Sequence, residues 1–212
     1  MEATEQSESW ERSSGEVLIM NSIFKTERLI VRKFTTSDYD NHFLLTGNAD
    51  VMRYIRPVKN KEESDLYFNE TVLDAPAHTF QGRWAVEEKS TKRFIGSFGI
   101  IPIPDDDAKT QMGYSFLPDY WGKGLASELV AEGLKYFKKR TPLAEIYGVT
   151  EIENFASQKV LLKNGFVPYG KKMDGAIELL VFVFKREEDY LINANVPFRK
   201  ISFVQVVFAL II

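Results

Sequence analysis

The sequence predicts a mixed α/β fold on a mostly antiparallel central sheet. Three observations carry the prediction. Three β-rich runs follow one another between residues 82 and 117, separated only by the turn-like "STK" and "PDDD", which reads as a meander of hairpins. A strand, a glycine-bearing turn, a helix and another strand then succeed each other, and only such a helical crossover permits a parallel pairing. Near the end, "AIELLVFVF" is a continuous apolar run of the buried-strand kind.

The first strand expected is "LIVRKF" from Leu29, which alternates and is rich in β-branched residues. Thr36, Ser37 and Asp38 then cap one or two helices running to about residue 55. "KEESDLYFNETVL" (61–73) carries Leu66, Asn69 and Leu73 in helical register, its acids early where the helix dipole favours them. "GRWAVEEK", "RFIGSFGIIPI" and "AKTQMGYSFL" are the three meander strands. Leu125, Leu129, Gly133 and Phe137, flanked by Ala126, Val130 and Leu134, define a wide apolar helix face, and Lys138, Lys139 and Arg140 followed by Pro142 close it. "AEIYGVT" is a short strand, and "ENFASQKVLLKNG" a helix opened by Asn154 and closed by Gly165.

At 212 residues, one compact domain is the expectation, and 44% hydrophobic against 27% charged residues is enough to build a core. A formal net charge of -3 offers no general attraction for nucleic acid. The absence of cysteine excludes disulfides, thiolate nucleophiles and cysteine-ligated metals; the two histidines, His42 and His78, stand in unrelated contexts, so no metal site is expected. The opening "MEATEQSESWERSSGEV" lacks the basic-then-apolar order of a secretory signal. Residues 1–22 are expected to be a disordered leader, 23–190 the folded domain and 191–212 an apolar extension. A cytoplasmic address is expected.

The stretch with most chemistry in it is "PDYWGKGLASELV" (118–130), two glycines around a lysine at a helix mouth. Small residues there let an anion approach unpaired backbone N–H groups and the positive end of the helix dipole. The dinucleotide fingerprint needs a glycine where Ser127 stands, and the P-loop needs Ser or Thr where Gly124 stands. Both fail. A tight strand-to-helix turn with no ligand stays open. About thirty residues on, Asn154 and Ser157 share the first turn of a helix, either as an N-cap with an exposed serine or as part of a site.

Together these features resemble the GNAT superfamily of N-acetyltransferases, and more closely its ribosomal-protein alanine N-acetyltransferase-like branch, from "TERLIVRKF" at residue 26 to about Arg186. The family's coenzyme motif falls on Trp121, Gly122, Lys123, Gly124, Leu125 and Ala126, with Trp121 departing from the family's Gln or Arg. The resemblance implies helices on both faces of a sheet that splays between its fourth and fifth strands. It implies acetyl-CoA as co-substrate, with the backbone of Phe116 and Leu117 along the pantetheine arm and the amides of 122–126 under the pyrophosphate. It also implies direct acetyl transfer, within a ternary complex, to a primary amine: a protein or peptide N-terminus, or a small molecule.

Amine acetylation needs a neutral amine and a proton for the departing thiolate. A chain-terminal amine, titrating near 8, needs less help from a base than a lysine at about 10.4. Many family members use a tyrosine seven residues after the motif asparagine as the acid, but Leu161 stands there. The branch resemblance instead implies Ser157 as hydroxyl donor and Asn154 as the positioning group. The family's frequent glutamate is Gln111 here, which cannot accept the proton. Glu87, Glu88, Glu151 and Glu178 are the remaining carboxylates near the expected cleft; strand parity leaves each undecided. Gln111 and Tyr114 are substrate-contact candidates, with packing the larger part of the expectation for Tyr114.

"ISFVQVVFALII" (201–212) is far shorter than the roughly 20 residues of a membrane span. An added strand, a homodimer contact, a membrane-surface contact or an aberrant extension that raises aggregation risk are all open for it. The rival to an enzyme is a non-catalytic acyl-CoA-binding module of the same fold that regulates or recruits a partner.

Overall fold

The computed structural model describes residues 22–73, 80–104 and 106–186. The apolar extension, His78 and the predicted leader, apart from Ser22, lie outside the described residues. Eight strands form one sheet in the order β1-β2-β3-β4-β5-β6-β8-β7. They are β1 (Ser22–Lys25), β2 (Leu29–Lys33), β3 (Gly82–Glu88), β4 (Phe94–Ile103), β5 (Asp106–Phe116), β6 (Glu145–Glu151), β7 (Val167–Asp174) and β8 (Ile177–Lys185). Every pairing is antiparallel except β5 with β6, which touch in parallel through the single pair Gln111↔Tyr147. The sheet therefore splays there, between what the sequence counts as its fourth and fifth strands.

Against the seven strands of the order β-αα(α)-βββ-α-β-α-ββ that the sequence predicts, the extra one is β1, whose four residues start at Ser22, inside the predicted leader. It is a half-exposed edge strand, too short for alternation to mark it, and pairing with β2 is what makes it a strand.

Helices cover both faces. On one lie α1 (Tyr39–Thr46), α2 (Ala49–Met52) and α3 (Lys61–Tyr67), preceded by a 3-10 turn at Thr36–Asp38. The segment expected as one helix over 61–73 keeps its α form only to Tyr67 and continues as a π turn, Phe68–Leu73, with Phe68 buried beneath Phe34 and His42. Asn60 caps α3 by accepting from the Glu63 N–H while Glu63 accepts in return from the Asn60 N–H.

On the other face lie α4 (Leu125–Arg140) and α5 (Phe155–Lys163). Leu125, Leu129, Val130, Leu134 and Phe137 meet Trp84, Ile95, Phe98 and Met112 in the main core. Gly133 is required by this contact: a Cβ there would stand 2.6 Å from the Phe98 ring. Beyond the expected basic residues, Arg186 Nη2 donates to the carbonyls of Phe137, Lys138 and Thr141 and closes α4. No helix among the described residues is long and apolar enough to cross a membrane.

Candidate active site

The end of β5 turns through Pro118–Tyr120 into the glycine loop. Trp121 Nε1 donates to the Phe116 carbonyl at 2.7 Å, tying the loop to the strand that precedes it. Gly122 (φ 71) and Gly124 (φ 76) both take left-handed backbone that disfavours a side chain. Gly124 is the N-cap of α4, and the first bond within the helix runs from the Glu128 N–H to the Gly124 carbonyl. The amides of Leu125, Ala126 and Ser127 thus have no partner inside the helix. Arg28 braces the loop from outside: its Nη1 donates to the Lys123 carbonyl at 3.0 Å and its Nε pairs with Glu128 at 2.7 Å. Glu128 also accepts from the Thr26 hydroxyl. Burial pushes the Glu128 carboxyl up, but these donors outweigh it and hold the group below its ordinary range.

These amides open onto a cleft of about 430 Å³ lined by Trp121, Gly122, Gly124, Ala126, Asn154 and Ser157, among others. A Cβ on Gly122 would meet nothing within 4 Å, so the loop presents bare backbone to open space. Phe116 lines the cleft, but its carbonyl already accepts the Trp121 indole. Leu117 and Lys123 do not line it. The Leu117 N–H is bonded to Ile95 and its side chain packs with Leu45, Val51 and Met52, while the Lys123 ammonium sits over the Tyr120 ring.

A second cleft, of about 300 Å³, lies on the α1–α3 face and includes Gln111, Tyr114, Asn154, Ser157 and Glu151. The two clefts share Tyr54 and Ile55, and, at the place where β5 and β6 separate, Tyr114, Ser115, Asn154 and Ser157. There the Tyr114 and Ser157 hydroxyls are 3.2 Å apart. Burial raises the Tyr114 phenol above its ordinary value and the Ser157 hydrogen bond lowers it less, so the proton stays on Tyr114. Asn154 Oδ1 accepts from the Ser157 N–H at 3.1 Å, which caps α5 and leaves the Asn154 amide NH2 free to serve the cleft.

Of the four undecided glutamates, Glu151 alone lines this cleft. Glu87 is buried and bonded to Arg32, Glu88 accepts from Thr91, and Glu178 pairs with Lys171. Gln111 donates to the Pro102 carbonyl, which spends its amide on the hairpin. Sequence reasoning missed Arg83, which lines the same cleft; alternation along β3 could have grouped it with Ala85 and Glu87, but not shown what lay over it.

The family model described as "Acetyltransferase (GNAT) domain" matches residues 28–167. An uncharacterized N-acetyltransferase of Bacillus subtilis, YoaA, is 30% identical over 71% of this chain and 86% of its own. The spermidine N-acetyltransferase of Vibrio cholerae, solved with CoA and spermine, superposes with a TM-score of 0.62 at 23% identity, covering 77% of this chain and 98% of that one. The ribosomal L7/L12 alpha-N-protein acetyltransferase RimL, solved with coenzyme A, gives 0.65 at 15% identity over 77% and 97%.

Proposed function

The chain belongs to the GNAT acetyltransferase family, and from that premise we propose that it moves the acetyl group of acetyl-CoA to a primary amine by direct attack in a ternary complex. The observation that carries this reading is the meeting of two clefts at the Tyr114–Ser157 hydroxyl pair, one of them floored by the open N-terminus of α4. Acetyl-CoA supplies the activated thioester, and its anionic half suits a floor of unpaired amides at a positive helix end. A Cβ at Gly122 would meet nothing within 4 Å, and at Gly124 only the Arg28 guanidinium comes that near, at 3.8 Å.

As the N–C bond forms and the C–S bond breaks, one proton must leave the amine and one must reach the thiolate. Ser157 is the donor on the coenzyme side; the alkoxide it would leave is far more basic than a phenolate and takes a proton from Tyr114 across their hydrogen bond, and water restores the phenol. Glu151, on the acceptor side, takes the proton from the amine directly or through one water. Asn154 orients the start of α5 and offers its NH2 to the coenzyme's amide arm. Two solved relatives on this fold are named for a polyamine and for a protein α-amine, so the fold alone does not choose the acceptor.

Thermal unfolding with and without acetyl-CoA is the first test. Coenzyme at about 100 times its dissociation constant adds roughly 2.7 kcal/mol, a rise of about 5–10 °C for a domain of this size. Thiol release with a panel of amines completes it. Binding without release would favour the non-catalytic acyl-CoA module, and no shift in a folded sample would sink both readings.

A further inference from the structure

Resting on the acetyl-transfer reading, we propose that the acceptor is an amine that carries a carboxylate, with Arg83 as its anchor and Arg56 and Lys59 beside it. Arg83 stands on β3 opposite Gly99 of β4, and Gly99 stands opposite Gly113 of β5. Opposite residues in an antiparallel sheet point to the same face. The row Arg83–Gly99–Gly113 is therefore a trough of bare backbone with a guanidinium at one end and the residue before Tyr114 at the other. At Gly99 a Cβ would stand 3.4 Å from the Gly82 carbonyl, 3.7 Å from Ile101 Cγ2 and 3.8 Å from Arg83 Cγ, ordinary contact distances, so the Arg83 stem and Ile101 flank the row there. A Cβ on Gly113 would meet nothing within 4 Å. Two strand spacings separate the ends, about 10 Å.

Arg83, Arg56 and Lys59 all line this cleft, and among the described residues none has a carboxylate within ion-pair distance. The other arginines in the protein's interior contacts are committed: Arg32 to Asp38 and Glu87, Arg186 to three carbonyls. Burial presses the Arg83 guanidinium below its ordinary value, Tyr67 opposes this and the charge of Arg56 adds to it. Lys59 is held at the cleft by the Tyr67 ring, 5.3 Å from its ammonium. The carboxylates of the cleft, Glu151 and Asp174, are on the opposite wall, on β6 and at the end of β7, with Lys172 nearby bonded to the Pro104 carbonyl. The cleft is polarised, amine towards Glu151 and carboxylate towards Arg83. A polyamine would meet the cationic wall unpaired.

The test uses acceptor pairs with the same α-amine that differ in one group. Glutamic acid α-amide against glutamine α-amide represents small molecules; the C-terminally amidated peptides Ala-Glu and Ala-Gln represent protein N-termini; spermidine is the cationic control. In at least one pair the acid member is expected to have a kcat/KM about tenfold or more above its amide, the scale of a charge-assisted hydrogen bond. Which pair discriminates identifies the source. Arg83→Gln should bring the acid-to-amide ratio towards one through KM, and Arg83→Lys should keep part of it. Equal rates within both pairs, spermidine as best acceptor, or an unaltered ratio in Arg83→Gln would overturn the proposal. If Arg83→Gln does not fold, the double change Arg56→Gln and Lys59→Gln carries the same reading. If acetyl-CoA raises the unfolding temperature but no amine is acetylated, the transfer reading has failed. Saturation-transfer NMR of the same pairs on the coenzyme-loaded protein then decides this one: preference for the acid members supports it and equal binding overturns it.

Discussion

Ser157 and Tyr114 are 43 residues apart in sequence and share one hydrogen bond at the junction of the clefts. Ser157 touches both clefts from the first turn of α5, and Tyr114 reaches it from near the end of β5, its phenol raised above its ordinary value by burial. A positioned proton donor contributes roughly 100- to 10000-fold. Ser157→Ala is expected to lower kcat by about 100-fold with acetyl-CoA affinity nearly preserved, and Tyr114→Phe to lower it by less, because Ser157 can then draw its proton from water. Pre-steady-state thiol release with each variant checks the order; a larger loss in Tyr114→Phe would make the tyrosine the direct donor. Sequence alone leaned towards packing for Tyr114, since nothing local tells which hydroxyl a strand tyrosine will meet.

The element that carries the coenzyme reading is the loop from Trp121 to the first turn of α4. Its conformation depends on two left-handed glycines, and its placement on Arg28, which ties it to a residue 95 positions earlier. Gly124→Asp introduces a Cβ where φ is 76 and a negative charge where an anion is expected to rest. The backbone term alone costs about 1–2 kcal/mol. The variant is expected to unfold a few degrees lower and to lose more than tenfold in acetyl-CoA affinity, measured by calorimetric titration. Arg28→Ala frees the loop without touching its glycines. A weaker coenzyme affinity with an unchanged apparent pKa of turnover would separate bracing of the loop from chemistry at the junction.

Across the whole molecule, two buried titratable groups hold the α1–α3 layer: His42 joins α1 to α3, and Asp38 joins the turn before α1 to β2. Burial lowers the His42 imidazole from 6.5 to about 4, and its Nδ1 lies 3.1 Å from the Ser64 hydroxyl. Burial pushes Asp38 up, but Arg32, Asn41 and the Thr35 N–H outweigh it and hold the carboxyl at about 2. Both folded values lie below the unfolded ones, so both contributions are complete above the unfolded pKa and disappear as pH falls. The His42 contribution is lost between about 6.5 and 4, and that of Asp38 between about 3.8 and 2. The urea midpoint should therefore fall in two stages on acidification. His42→Gln should flatten the first stage and Asp38→Asn the second. A midpoint that stays level between pH 7 and 4.5 would contradict the burial of a neutral His42.

What the chain determines by itself is local. The left-handed turn needs glycine at 122 and 124, Asn154 caps the helix that follows it, and the apolar spacing from Leu125 to Phe137 chooses the buried face of α4; each depends only on near neighbours in sequence. The family motif is of the same kind, which is why the side of the site proposed for the coenzyme could be named from sequence. The acceptor side was not. Whether Glu87 or Glu151 faces the cleft, whether Arg83 finds a counterion, and whether Gly99 and Gly113 clear a path between it and Tyr114 all depend on strand register. A slip of one residue would turn every one of those side chains to the other face. That register is decided by the packing of the whole sheet against its helices, so only the tertiary structure could fix which charges line the cleft proposed for the acceptor.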